Sequence, residues 1–182
     1  MIIVVRPSLL CQDDDGQTSG HGDTLIIQRQ GIRAFLLTSA HEVLLMRIRL
    51  SESGEAFWIA PGGGLEEGES LEQALGRELE EELGLRAFQI GPLVWRRQHT
   101  FNWNGRRICQ REHYHIVEVD RFEPRISDPV EAKTLDQFRW WRASELAHSK
   151  ERLTPLSLGR IIAGYLAIGP PPHLPEWEVL VD

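Results

Sequence analysis

Hydrophobic positions along the chain follow two rhythms. From Gly31 to Thr38 (GIRAFLLT) and from Glu42 to Leu50 (EVLLMRIRL) apolar residues run in short, partly alternating stretches. This predicts two strands joined by a tight connection at Ser39-Ala40-His41. Phe57-Trp58-Ile59 predicts a third, short strand, Phe88–Trp95 and Ile108–Val119 two longer ones, and Phe138–Trp141 another. The stretch Ser70–Leu83 instead repeats at helical spacing, with Ser70 and Gln73 placed for a capping box and Gly84 for a left-handed C-terminal cap. A later helix is predicted to start at Thr154-Pro155, with Leu158, Ile161, Ile162, Tyr165 and Leu166 on one face, and to stop at Gly169 and the prolines after it. Strands interleaved with helices predict an α/β layered sheet.

The 70–83 helix changes character along its length. With roughly 100° between residues, Leu71, Ala74 and Leu75 share the sector that faces a core. In the last turns Glu78 and Glu82 occupy that same sector and Glu81 lies at its margin, whereas Glu72 and Glu80 point away and read as solvated surface. Acids at a helix C-terminus oppose the macrodipole by about 0.3–1 kcal/mol each and repel one another. Arg77 is the one cation beside them in sequence and cannot balance all three. A hard divalent cation such as Mg²⁺ could, because it takes oxygen ligands and shares them with substrate phosphates. The bland alternative is an acidic surface helix in a structural protein, and the inward sector of the acids argues against it. His113 and His115 alternate on a strand and read as packing or surface residues rather than zinc ligands.

Around this helix the chain divides into three parts. Residues 1–22 form an N-terminal appendage and linker, since Gln12–Gly22 (QDDDGQTSGHG) is polar and glycine-rich; 23–168 form one domain; and 169–182 form a Pro-rich tail. Pro61-Gly62-Gly63-Gly64 is predicted as a permissive loop and Glu123–Thr134 as a surface loop. Length and a composition of 41% hydrophobic and 26% charged residues fit one globular core. The net charge of -7 argues against bulk nucleic acid as a partner. Two cysteines, Cys11 and Cys109, suit a reducing cytoplasm. The opening Met1–Val5 is too short for a membrane span; it could supply an exchanged strand to a homodimer or fray.

Residues 63–85, GGLEEGESLEQALGRELEEELGL, match G-x5-E-x7-R-E-U-x-E-E-x-G-U, with U aliphatic, at Gly63, Glu69, Arg77, Glu78, Leu79, Glu81, Glu82, Gly84 and Leu85. Residue frequencies put a chance match on the order of 10⁻⁶. The chain therefore resembles the Nudix family, over roughly Arg33 to Leu166. The resemblance implies an α/β fold of the Nudix type, an α/β/α sandwich with a mixed central sheet. It implies Mg²⁺ or Mn²⁺ held by Glu78, Glu81 and Glu82 with the Gly62 carbonyl, and a Glu69–Arg77 pair that steadies the box. The implied reaction is water attack on a diphosphate bond of a nucleoside diphosphate derivative, a small-molecule substrate.

The catalytic set expected on this reading is Glu78, Glu81, Glu82, Arg77 and a general base, Glu131 first and Glu112 second. Arg33, Trp58, Gly63 and Gly64 are the expected substrate contacts; Phe101, Trp103 and Tyr114 are further stacking candidates, and Arg47, Arg96 and Arg106 further phosphate grips. Nucleotide sugars, dinucleoside polyphosphates, ADP-ribose and oxidised nucleoside triphosphates all stay open. The rival within the fold is a nucleotide-binding regulator or a diphosphate isomerase; the retained box acids oppose the first, and Cys109 weakly serves the second.

Overall fold

The computed structural model describes residues 26–49, 54–103, 105–125 and 135–181. Met1–Val5, the 1–22 appendage and Glu131 therefore lie outside the described residues. The elements are β1 (Ile26–Leu37), β2 (Glu42–Arg49), β3 (Ala56–Ile59), β4 (Gly62–Gly64), α1 (Leu71–Leu83), β5 (Leu93–Trp103), β6 (Arg106–Glu118), β7 (Leu135–Arg142), α2 (Ala143–Leu146), β8 (Leu153–Thr154), α3 (Leu158–Ile168) and β9 (Trp177–Val181).

One mixed sheet runs β8-β3-β2-β1-β6-β5-β9, with β4 added to β1 and β7 to β2. The central pair β1 and β6 is parallel over twelve registered positions, from Ile26↔Arg107 to Leu37↔Glu118. Both faces of β1 are covered in its second half, so Gly31–Leu37 is buried without a break and reads in sequence as an apolar run. Alternate residues serve different layers. Ile32, Ala34 and Leu36 pack with Leu44, Met46 and Ile59 under Ala74, Leu75, Leu79 and Leu83 of α1. Phe35 and Leu37 pack with Val43, Leu45, Tyr114 and Ile116 under Leu158, Ile161 and Ile162 of α3. This is the expected α/β layering.

Helix α1 begins as its sequence dictates. The Ser70 hydroxyl accepts from Gln73 N at 3.2 Å while the Gln73 side chain accepts from Ser70 N at 2.8 Å, and Gly84 closes the helix at φ 70°.

Several boundaries differ from expectation. β1 starts at Ile26 because pairing with β6, not an apolar run, defines its polar first half. The predicted strand Phe88–Trp95 is displaced: β5 begins at Leu93, after Gly91 and Pro92 have met β6 through Gly91 N to Ile116 O and Ile116 N to Pro92 O. Phe88 and Ile90 meanwhile pack on the α1-side core. The Gly62–Gly64 stretch is a short strand antiparallel to β1 rather than a free loop. Helix α3 starts at Leu158, after Thr154 has joined β8. The segment read as a Pro-rich tail carries β9, parallel to β5 at the sheet edge.

Candidate functional site

Strand β4 and the second half of α1 meet at one place. A Cβ on Gly63 would lie 2.4 Å from the Glu78 carboxyl carbon, so only glycine leaves room for that carboxylate against the backbone. Gly62, at φ 119°, has equally little space: a Cβ there would lie 2.3 Å from Ile32 O. Its N–H donates to Glu82 Oε2 at 2.7 Å. Glu78 is 6% exposed, while Glu81 and Glu82 are half-buried at the rim. Glu72 and Glu80 are exposed, as expected, and Glu80 takes Arg86 Nε at 2.9 Å on the surface.

Arg77 ties the cluster together. It donates in bidentate fashion to Glu69, Nε to Oε1 at 2.8 Å and Nη2 to Oε2 at 2.9 Å. Nη1 reaches Glu78 Oε1 at 2.7 Å and Glu81 Oε2 at 3.5 Å, and Nη2 also reaches the Gly64 carbonyl at 3.0 Å. The Glu69 hydrogen bonds, outweighing desolvation, push the Arg77 pKa further up, and the same bonds hold the Glu69 carboxyl below its usual range. The guanidinium is thus a permanent cross-link between box loop, glycine strand and helix.

The acids are engaged one by one rather than gathered. Among the described residues no three His, Cys, Asp or Glu side chains stand together as a metal site. Glu78 and Glu81 face Arg77, and Glu82 faces Gly62 N–H. The Gly62 carbonyl, expected as a metal ligand, accepts from Arg33 Nη1 with one of its two lone pairs.

That contact corrects a further expectation. Arg33 is 4% exposed, and its guanidinium serves Glu112 Oε1 at 3.0 Å, Ala60 O at 3.3 Å and Gly62 O, so it is a buried strut between strands rather than a substrate grip. Glu112, the second general-base candidate, is 1% exposed and also accepts from Arg97 at 3.0 Å, Tyr114 at 2.9 Å and Gln110 at 3.3 Å. Burial alone would raise its pKa; Arg33 and Arg97 outweigh burial and hold the carboxyl below its usual range. A sealed carboxylate with this many donors has no lone pair left for a water, so Glu112 is set aside as a base. The sequence hid this network because Arg97 and Glu112 sit in strands whose polar residues look like solvent positions.

Trp58 is corrected too. It is 3% exposed, edge-on to Trp141 at 5.2 Å, with its indole N–H toward Glu151 at 3.4 Å, which leaves no face for a base. Phe101 and Tyr114 are likewise buried. Trp103 holds Arg29 at 5.4 Å, Arg47 pairs with Asp136 and Arg96 with the Pro175 carbonyl. Gly64 contributes its carbonyl to Arg77. A roomy open cleft of about 660 Å³ lies elsewhere, lined by Leu37, Thr38, His41, Glu118 and Tyr165, and no box residue lines it. No helix among the described residues is long and apolar enough to cross a membrane.

A family model described as NUDIX domain matches residues 27–159. An RNA pyrophosphohydrolase of Sphingopyxis alaskensis is 33% identical over 118 residues, 59% of this chain and 72% of that protein. Other relatives of that name are matched over 56% (Photobacterium profundum) and 70% (Pectobacterium carotovorum subsp. carotovorum) of their own length. Among solved structures, a MutT NUDIX hydrolase from Burkholderia pseudomallei is 27% identical with a TM-score of 0.56, covering 75% of this chain and 96% of that one. The NUDIX domain of Shewanella oneidensis NrtR complexed with ADP ribose gives the same TM-score at 18% identity, covering 76% of this chain and 88% of that one, a likeness of fold alone.

Proposed function

The chain belongs to the NUDIX domain family and is a pyrophosphohydrolase of that family, and from this premise we propose that Glu78, Glu81 and Glu82 hold a Mg²⁺ or Mn²⁺ ion against the substrate diphosphate. Family members work with divalent metal, and the residues here fit one. The donor set is entirely hard oxygen, and the missing Cβ of Gly63 lets the Glu78 carboxylate lie on the backbone. That cradle is the observation that carries the reading. Glu81 and Glu82 lie half-buried at the rim beside it. When bound, such an ion supplies Lewis acidity toward phosphoryl oxygens and water.

The chain's own residues then do the positioning. Arg77 orients Glu78 and Glu81 and anchors the loop through Glu69 and Gly64. Arg33 and Gly62 fix the glycine strand from the opposite layer. The substrate is a nucleoside diphosphate derivative, and the relatives named RNA pyrophosphohydrolase add the phosphorylated 5′ end of RNA to its range. With Glu112 sealed, Glu131 is the remaining candidate base. Cys109, on which an isomerase would lean, is buried.

The test is a nucleotide panel, including 5′-triphosphorylated RNA, scored for phosphate, pyrophosphate and monophosphate release with Mg²⁺ or Mn²⁺. Metal-dependent release is expected, together with a rise in Tm on adding Mn²⁺ alone. No release from any diphosphate together with an unmoved Tm would reject the assignment.

A further inference from the structure

Gly62 makes its hydrogen bonds away from the strand it pairs with. Ala34 N donates to Pro61 O at 2.9 Å, a bond between the positions that flank the Arg33↔Gly62 pair. In an antiparallel ladder this makes Arg33↔Gly62 a pair of the non-hydrogen-bonded kind, so the N–H and C=O of Gly62 both point outward from β1. Gly62 is buried, and buried backbone groups must still find partners. Side chains supply them: the N–H donates to Glu82 Oε2 at 2.7 Å, and the carbonyl accepts from Arg33 Nη1. At φ 119° Gly62 occupies a region that glycine enters without a Cβ to restrain it, so its own chain does little to hold the conformation. The peptide planes on either side of its Cα are therefore set by one carboxylate and one guanidinium.

That guanidinium is itself fixed from behind. Arg33 Nε donates to Glu112 Oε1 at 3.0 Å, and Nη1 also donates to Ala60 O at 3.3 Å. Glu112 is held in turn by Arg97 and by Tyr114, whose ring stacks on Phe35 at 5.3 Å. Burial would lower the Arg33 pKa; the charges of Glu112, Tyr114 and Glu82 outweigh burial and raise it, which puts a box acid within electrostatic reach of the buried cation. Arg97 provides a comparison inside the same cluster. It is as deeply buried as Arg33 and meets the same carboxylate at the same 3.0 Å. Its other contacts lead elsewhere: Nη2 meets His99 Nδ1 at 3.2 Å, and the further acid that raises its pKa is Glu178 on β9. Among the described residues, Arg33 reaches the glycine strand and Arg97 does not.

Resting on the hydrolase reading, we propose that Arg33 is a positioning residue for the reaction: by holding the Gly62 carbonyl it aligns Gly62 and Glu82 on one ion. A carbonyl oxygen has two lone pairs; Arg33 takes one, and the metal reading gives the other to the ion. Lysine cannot take over the role. The planar fork of arginine points Nε at Glu112 and Nη1 at the glycine strand at once, whereas an ammonium on a flexible stem is a single point of charge. Partners that orient metal ligands from behind typically carry about 10–100-fold in metal affinity or activity. Arg97 shares the burial and the carboxylate but not this role.

The experiment compares the full-length wild type with Arg33→Lys and Arg97→Lys. In metal-free protein, hydrogen exchange of the Gly62 amide, followed by NMR, should quicken about tenfold in Arg33→Lys and stay within about twofold in Arg97→Lys, although Tm falls in both. Titration with Mn²⁺ alone should show affinity about tenfold weaker in Arg33→Lys and within about twofold in Arg97→Lys. On a 5′-triphosphorylated RNA, kcat should follow the Mn²⁺ affinity while KM stays within about twofold. In wild type, Mg²⁺ should shift the Arg33 Nε–H signal and leave that of Arg97 in place, a readout that needs no variant to fold. Equal changes in the two variants, or unaltered Gly62 exchange in Arg33→Lys, overturn the positioning role. So does an Arg33 signal that stays in place while the amides of Glu78, Glu81 and Glu82 respond to Mg²⁺. Gly62 exchange that quickens in Arg33→Lys alone, with no box signal moved by either ion and no RNA cleaved, upholds the hold of Arg33 on Gly62 and rejects the hydrolase reading.

Discussion

Two clusters of glutamate and arginine lie on either side of the glycine strand, and they have opposite uses. Around Glu112 the acid is buried, and Arg33, Arg97, Tyr114 and Gln110 supply a donor for each of its lone pairs. Around Arg77 the ratio is inverted: one guanidinium serves Glu69, Glu78 and Glu81, at a rim open to solvent. A buried carboxylate must be fully satisfied or it destabilises the fold. A rim cluster can keep negative charge in excess, and that excess is what a cation and a phosphate can use. The comparison shows that residue type alone assigns neither role; the count of donors and the access of water do.

The largest expected effect is at the sealed cluster. Glu112→Ala leaves two buried guanidiniums without their carboxylate and should cost about 3–5 kcal/mol of stability, lowering Tm by roughly 10 °C in a thermal melt. A loss under about 1 kcal/mol would place water in the cluster and erase the contrast. At the rim the signs exchange. Glu81→Gln and Glu82→Gln should lower kcat roughly 10²–10³-fold, about 3–4 kcal/mol in the barrier, with Tm held or raised as repulsion is relieved. Near-normal turnover in both would detach the acids from the chemistry.

Arg77→Lys keeps the charge but not the fork to Glu69, and a loss of roughly 10–100-fold in activity or Mn²⁺ affinity is expected by titration. Glu112 and Glu69 both have carboxyl pKa values held below the usual range. Groups of this kind contribute stability that is complete above the ordinary carboxylate pKa and is lost as pH falls through the folded value. Tm should therefore be flat from about pH 7 to about 5 and decline below about 4.3, more shallowly in a folded Glu69→Gln variant. The smallest effect is Glu72→Ala, within about 0.5 kcal/mol and without change in activity, because the side chain is exposed on the far side of α1.

Much of the α1 region was legible in the chain because every cue there is local. The capping box, the left-handed glycine and the sector shared by Leu75, Glu78 and Glu82 lie within a few turns of one another, so spacing alone sets them. Strands were legible where both layers bury them, as in Gly31–Leu37, and illegible where their residues are polar, as in Ile26–Gln30 and Gln98–Trp103. Aromatic residues were misread for the same reason: Trp58 offers one surface in sequence and another once Trp141 lies against it.

By itself, then, the sequence determined the helix, its caps and the row of acids, since each follows from dihedral freedom and helical geometry over a few residues. Tertiary structure decided which charges are sealed and which face solvent. Arg33 meets Glu112 across 79 positions and Gly62 meets Glu82 across 20, and β9 finds β5 from the far end of the chain. Donor counts and burial are properties of strands brought side by side, and no local rhythm of polar and apolar residues encodes them.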